Sequence, residues 1–168
     1  AERPLVTFAL FAYNQERFIR EAVEGALAQT YSPLQVILSD DCSSDRTFEI
    51  MQEMVAEYSG PHEILLNRNE RNLGIGGHVN RLMELAKGEL IVGAAGDDIS
   101  LPERTYKTVN VWKSEDNVHS IYSLIRCIDE DGCECGFLDN PYQDSFNEPY
   151  FFVNNMFWVT GSSHAWSR

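Results

Sequence analysis

The sequence predicts an α/β fold: a mostly parallel sheet with helices on both faces. Three observations carry that expectation. Short runs that are apolar at nearly every position recur along the first two-thirds of the chain, as strands do when both faces are covered. Stretches with apolar residues at helical spacing stand between them. Polar and acidic clusters fall where the strands end, and right-handed crossovers place those ends on one ligand-binding edge.

The elements follow in order. Residues 5–11 (LVTFALF) predict the first strand. Phe18, Ile19, Ala22, Val23, Ala26 and Leu27 mark a first helix. Residues 34–39 (LQVILS) predict a second buried strand, and Phe48, Met51, Met54, Val55 and Tyr58 a second helix. Residues 62–67 (HEILLN) predict the third strand. Val79, Leu82, Met83 and Ala86 give a third helical stripe, with Gly88 as its C-terminal stop. Residues 89–95 (ELIVGAA) predict the fourth strand, and Pro102 opens a fourth helix running to about Ser114. Beyond it, residues 117–138 read as two strands around the turn DEDG, followed by an aromatic, loop-rich stretch. No closing helix follows, so the expectation is a domain continuing past Arg168.

The 168 residues suit one domain, and 43% hydrophobic content supports a real core. A net charge of -13 argues against nucleic acid or an anionic membrane as a partner of a general basic surface. No apolar run approaches the roughly 20 residues of a membrane helix. The N-terminal apolar run lacks a basic flank and a cleavage site, so it reads as a strand. These features predict a cytoplasmic protein. Cys42, Cys127, Cys133 and Cys135 are expected to be free thiols. A zinc site of Cys127 with Cys133 and Cys135 is disfavoured, because no second pair stands at zinc spacing.

Three polar clusters end the predicted strands: FAYNQE (11–16), SDDCSSDRT (39–47) and GDD (96–98). Glu16, Asp40, Asp41, Asp97 and Asp98 could therefore crowd on one rim. Each has a plainer role available. Asp45 or Ser44 can cap the second helix, Asp40 can hold its loop, and Glu16 can favour a helix dipole. A single acidic pair at a turn is more often a solvated face than a site. Two pairs at the exits of buried parallel strands shift the balance toward a site. Clustered carboxylates call for a cation, and hard oxygen ligands favour Mg²⁺ or Mn²⁺ bridged to substrate phosphates. The glycine-rich LGIGGHV (73–79) fails the dinucleotide pattern and is left as a flexible loop or a diphosphate contact. His62, His78, His119 and His164 are scattered, and His164 reads as a loop residue.

These clusters resemble the signatures of the family 2 glycosyltransferases, inverting enzymes of the GT-A fold. VTFALFAYNQERFI resembles the family's opening strand and turn. ALAQTYSPLQVILSDDCSSDRT resembles its Q-T-Y and D-D-G-S-x-D-x-T signatures. RNLGIGGHVNRLMELAKGELI resembles its N-x-G loop, and GAAGDDISLPER its D-x-D region. The likeness weakens after Arg104. It implies a three-layer α/β/α domain over 1–168, with 1–104 as the nucleotide-sugar half and 105–168 as the start of the acceptor half. Phe11, Ala12 and Tyr13 would line base and ribose, and Glu16 would support that pocket. Asp41 would accept a hydrogen bond from the base, and Asn72 and Gly74 would lie along the nucleotide sugar. Asp97 would hold ribose or donor sugar, and Asp98 would bind Mn²⁺ or Mg²⁺.

The implied reaction moves a sugar from a nucleotide-diphosphate sugar, a UDP-sugar first, to a saccharide or lipid-linked acceptor. The implied setting is polysaccharide or glycolipid synthesis, with the longer protein at the inner face of a membrane. Phe11 and Ala12 depart from the family's Pro-Thr, and Cys42 stands where it has glycine. No match to the family's catalytic base precedes Arg168, so the base is expected beyond it. Asp139, Asp144 and Glu148 are the carboxylates to suspect if it lies within the chain. A non-catalytic nucleotide-sugar-binding module and a sugar nucleotidyltransferase are the competing readings. The latter lacks its G-x-G-x-R loop here.

Overall fold

The computed structural model describes residues 3–114, 118–123, 125–129, 132–137 and 164–167. The chain begins as four β-α units: β1 (Val6–Ala12), α1 (Ile19–Leu27), β2 (Leu34–Asp40), α2 (Thr47–Glu57), β3 (Glu63–Arg68), α3 (Gly74–Leu85), β4 (Leu90–Ala95) and α4 (Arg104–Ser114). Four short strands follow: β5 (Ser120–Tyr122), β6 (Arg126–Ile128), β7 (Glu134–Phe137) and β8 (His164–Ser167). The main sheet has the order β3-β2-β1-β4-β8-β5. Its first four strands are parallel, while β8 runs antiparallel to both β4 and β5. The expected mostly parallel sheet is present.

Strand alternation sorts the core into two layers. Val6, Phe8 and Leu10 of β1 join Val36 and Leu38 of β2 on the face covered by α1, α2 and α4, through Ile19, Val23, Ile50, Met51 and Val109. Ala9 and Ile37 face the other way, onto Leu82 and Ala86 beside α3. β1 and β2 are apolar on both sides because both sides are covered.

Three local expectations are corrected. The segment 74–77 is the first turn of α3, not a flexible loop. Gly88 does not stop that helix, which ends at Leu85 with Ala86 as its cap. Instead Gly88 lets the chain pass against β1. A Cβ there would lie 2.7 Å from the Val6 carbonyl carbon and closer still to the Thr7 nitrogen. The Gly88 N–H donates to Thr7 Oγ1 at 2.9 Å, a bond made possible by that approach. Pro102 precedes α4 in a turn rather than sitting in its first turn, and the Arg104 N–H closes that turn on Leu101 O at 3.0 Å.

The last third holds more strands than its sequence pattern suggests. β6 and β7 form the expected hairpin, with a register shift at Cys127–Ile128. Its turn closes through Asp129, whose carboxylate accepts the Cys133 N–H at 2.8 Å. β5 leaves the hairpin and joins the main sheet through β8. His164 is thus a strand residue, stacked on Tyr122 with ring centroids 4.5 Å apart and bonded to the Ser120 hydroxyl at 2.7 Å. The four cysteines are free. Asp139, Asp144, Glu148 and the segment 160–163 lie outside the described residues.

Candidate nucleotide-sugar site

The parallel strands end together, and backbone bonds tie their exits into one rim. Gly96 N–H donates to Phe11 O at 3.0 Å, Asp41 N–H to Ala12 O at 3.0 Å, and Asn69 N–H to Asp40 O at 2.9 Å. Gly96 is needed at this crossing. A Cβ on it would stand 2.5 Å from Gln15 Oε1 and 2.6 Å from Ala12 Cβ.

The loop after β1 is joined to the loop after β2. Asn14 N–H donates to Ser43 Oγ at 2.8 Å, and Asn14 Oδ1 accepts the Ser44 N–H at 2.9 Å. Gln15 N–H donates to Thr47 Oγ1 at 2.7 Å. Asn14 takes φ +52, a conformation Asn tolerates because its short polar side chain bonds locally. Glu16 is not in the first turn of α1, which begins at Ile19. Its carboxylate accepts the Arg46 N–H at 2.9 Å at the start of α2, while its own N–H donates to Asp45 Oδ2 at 3.1 Å. Asp45 Oδ1 accepts both the N–H and the hydroxyl of Thr47, at 2.9 and 2.6 Å. Arg46, not Asp45 or Ser44, is the N-cap residue of α2, and the Glu16 and Asp45 carboxylates take the N–H groups of Arg46 and Thr47 at the helix start. Burial pushes the Asp45 carboxyl up, but its hydrogen bonds to Thr47 and Glu16 outweigh this and hold it below the ordinary value.

The five acids of the rim do not crowd into one cluster. No three acidic, imidazole or thiol groups converge among the described residues. Asp40 and Asp41 part to opposite faces. Asp40 is fully buried on the α2 side, where it accepts the N–H of Ser43 at 3.0 Å and the Ser43 hydroxyl, and faces Arg68 Nε at 3.4 Å. Arg68 in turn lies over the Phe48 ring at 4.9 Å. Asp41 lies on the α3 side. Its Oδ1 accepts Asn69 Nδ2 at 2.8 Å and the Leu73 N–H at 2.9 Å.

Phe11 is half-buried and Ala12 buried at the exit of β1. Ala12 is buried and its carbonyl is used, while the Phe11 ring packs edge-on to His78 at 6.2 Å. Tyr13 is the exposed aromatic of the rim. Asn72 Oδ1 accepts the Gly74 N–H at 2.8 Å, and Gly74 takes φ +69, so this pair shapes the entry to α3. A Cβ on Gly74 would meet nothing within 4 Å.

Asp97 is exposed and Asp98 half-buried on the turn after β4. Asp98 N–H closes the turn on Ala95 O at 3.2 Å. Two residues absent from the expected site hold this turn. Gln29 donates to Leu101 O at 2.9 Å and accepts the N–H and hydroxyl of Thr105, tying the chain after the turn to α1. Arg104 donates to Gly93 O at 2.7 Å and to Ser100 Oγ at 2.9 Å, with its guanidinium 5.9 Å from the Phe8 ring centroid. Burial pushes the Arg104 guanidinium down to about 10, and the nearby Asp98 carboxylate pulls the other way. Arg104 therefore stays charged at neutral pH and offsets part of the repulsion between the paired aspartates. The signal was a polar side chain within an apolar pattern, and Gln29, Ser39 and His78 all carry it.

Cys42 takes φ +63. Left-handed backbone costs a residue with a Cβ roughly 1–2 kcal/mol, and glycine escapes that cost but gains freedom when unfolded. Cys42→Gly is expected to stabilise the chain by about 1 kcal/mol, raising Tm by roughly 2–4 °C. Thermal melts of both proteins check this, and a lower Tm in the variant would contradict stored strain. The Cys42 thiol donates to Glu70 O at 3.7 Å, but a thiol is a weak donor and this exposed bond offsets little of the cost.

A divalent cation can be tested against these residues. Mg²⁺ and Mn²⁺ sites commonly use one or two carboxylates and complete the shell with water and substrate phosphates. Asp98, with Asp97 beside it, fits a cation delivered by a diphosphate. The described residues do not supply a cage that would hold one alone.

The fold and its rim define an open α/β protein of the GT-A type, with its polar loops at the carboxyl edge of a parallel sheet. Residues 7–156 match Glycosyl transferase family 2, and the chain belongs to that family. It is 30% identical over 158 residues to an uncharacterised glycosyltransferase of Methanocaldococcus jannaschii, covering 92% of this chain and 53% of that protein. Among solved structures it resembles a mannosyltransferase from Pyrobaculum calidifontis in complex with GDP-Man and Mn²⁺. That match has TM-score 0.70 and 19% identity, over 99% of this chain and 45% of the other. It also resembles S. aureus TarS 1-349 in complex with UDP, with TM-score 0.70 and 20% identity, over 96% of this chain and 46% of the other. The chain thus spans about half the length of each. No helix among the described residues is long and apolar enough to cross a membrane.

Proposed function

We propose that this chain is the nucleotide-sugar-binding part of an inverting glycosyltransferase that moves a sugar from a UDP-sugar to an acceptor hydroxyl. The observation that carries the reading is Asp41. One of its oxygens is held by two donors, and the other has no partner among the described residues. Such an oxygen suits the imide N–H of a uracil ring. Tyr13 offers an exposed face for the base or ribose, and Glu16 supports that loop through the start of α2. Phe11 and Ala12 form the floor of the pocket. Asn72 and Gly74 lie along the diphosphate, Asp97 meets the ribose or donor sugar, and Asp98 holds Mn²⁺ or Mg²⁺. When bound, the metal offsets negative charge gathering on the leaving diphosphate.

In this reading residues 1–104 bind the donor and residues 105–168 begin the acceptor side. The acceptor is a saccharide or a lipid-linked sugar, in polysaccharide or glycolipid synthesis. A base that takes the acceptor proton while the hydroxyl attacks the far face of the anomeric carbon would lie outside residues 1–168. Positioned proton transfer contributes about 10²–10⁴-fold in rate, so transfer by this chain alone is expected to be slow.

Calorimetry with Mn²⁺ tests the donor assignment: UDP is expected to bind and ADP to bind at least about tenfold more weakly. Tighter binding of ADP would sink the pyrimidine assignment. Transfer from a UDP-sugar panel by a longer gene product, compared with this chain, tests the rest. Equal rates would place the base within 1–168. Binding without transfer by either would favour a non-catalytic module.

A further inference from the structure

We propose that Asn69 is a positioning residue for the nucleotide base: it clamps one oxygen of Asp41 and so aims the other, without touching the ligand itself. The inference rests on Asp41 being the base acceptor. A carboxylate turns easily about its last bond, because such sp³–sp² torsions have broad wells. Here Oδ1 is pinned from two directions, by Asn69 Nδ2 at 2.8 Å and by the Leu73 N–H at the start of α3 at 2.9 Å. Asp41 is 2% exposed, yet its Oδ2 is not among the buried atoms lacking a partner. That oxygen therefore keeps an opening to the rim.

Asn69 is itself held in one orientation. Its Oδ1 accepts Asn67 Nδ2 at 3.1 Å, which leaves its Nδ2 for Asp41. Asn67 Nδ2 spends its other hydrogen on Ser39 Oγ at 2.9 Å. Ser39 Oγ then lies 2.7 Å from His78 Nε2. The Ser39 oxygen accepts from Asn67 and its hydroxyl hydrogen can go to Nε2, an arrangement that suits a neutral His78 protonated at Nδ1. Burial of His78, which lowers its affinity for a proton, agrees with this. His78, Ser39, Asn67 and Asn69 thus form one chain of bonds whose donors run outward from the half-buried Asn67, one way through Ser39 to His78 and the other through Asn69 to Asp41. Ser39, Asn69 and His78 are all under 9% exposed, so water does not substitute for these bonds.

The chemical consequence is discrimination between pyrimidines. A fixed carboxylate oxygen accepts the N3–H of uracil and faces the N3 lone pair of cytosine with repulsion. If Asp41 can turn, it loses the first and relaxes the second. The test compares UDP and CDP by calorimetry with Mn²⁺ in the 168-residue chain and in Asn69→Ala. The parent chain is expected to prefer UDP, and Asn69→Ala to lose about tenfold of that preference, mostly through weaker UDP binding. A parent chain with no preference overturns the reading of Asp41 and the clamp together. A preference kept intact in Asn69→Ala overturns the clamp and leaves that reading standing. Equal weakening of UDP and CDP also overturns it, since that is a structural effect. Should Asn69→Ala fail to fold, Asn69→Ser carries the same comparison, because serine stays polar but cannot reach Asp41.

Discussion

Asp98→Ala is expected to abolish the Mn²⁺ dependence of nucleotide binding. The physical basis is the thin set of ligands. No three metal-binding side chains converge among the described residues, so in the proposed reading a cation at this rim would depend on the diphosphate and on the Asp98 turn. Removing that carboxylate leaves Asp97, which is exposed and adjacent, and takes from the Arg104 guanidinium the negative charge that Asp98 supplies beside it. UDP titrated with and without Mn²⁺ should then give the same affinity, whereas the parent chain should bind at least about tenfold more tightly with the metal. Asp45→Ala is the control. Asp45 is also a carboxylate on the same rim, but its oxygens are engaged by Thr47 and Glu16. It should keep Mn²⁺-dependent binding and lose about 1 kcal/mol of stability as a lost cap. Because the folded state depresses the Asp45 carboxyl below 3.8, its contribution is present above that pH and fades as pH falls below it. Equal behaviour of the two variants would show that the metal does not sit at Asp98.

Asp40→Ala should cost about 3 kcal/mol of folding stability, the largest loss expected for any rim acid. Asp40 is fully buried, and its carboxylate accepts the N–H and hydroxyl of Ser43 and faces Arg68. Hydrogen bonds to a charged group contribute about 1.5–3 kcal/mol, and a buried donor left unpaired costs about 1–3. Arg68 is 41% exposed, so water recovers part of its loss and keeps the total near the lower sums. Ser43 also accepts from Asn14, so the join between the loops after β1 and β2 should loosen. Urea unfolding at constant m-value is the measurement. A loss under about 1 kcal/mol would mean that Asp40 is not the structural member of the pair.

These contrasts divide what is written in the sequence from what folding adds. The order of strands and helices through Ser114 is legible because burial on both faces makes β1, β2 and β4 apolar at almost every position, and because α1 and α2 carry apolar stripes. The rim is legible for the same reason: in a parallel sheet, each strand must end at the same edge. The start of α3 was not legible, because glycine-rich 74–77 reads as loop by propensity. In the fold, the turn set by Asn72 and Gly74 and the pairing of Leu73 N–H with Asp41 bring it into a helix. β8 was hidden by its length. Four residues, HAWS, show no pattern of their own and become a strand by filling the gap between β4 and β5.

The acidic pairs show the limit most clearly. By sequence, Asp40 and Asp41 are two equivalent carboxylates at a strand exit, and their crowding with Glu16, Asp97 and Asp98 is a reasonable expectation. Only the tertiary structure separates them, because neighbouring side chains at the end of a strand leave on opposite faces. One face brings α2, Ser43 and Arg68, and Asp40 becomes a buried fastener. The other brings α3, Asn69 and the opening at the rim, and Asp41 keeps a free oxygen. The sequence determined that carboxylates would gather at this edge; which of them is fastened inside the fold and which keeps an open oxygen at the rim was decided by the partners that packing brought to each side of the sheet.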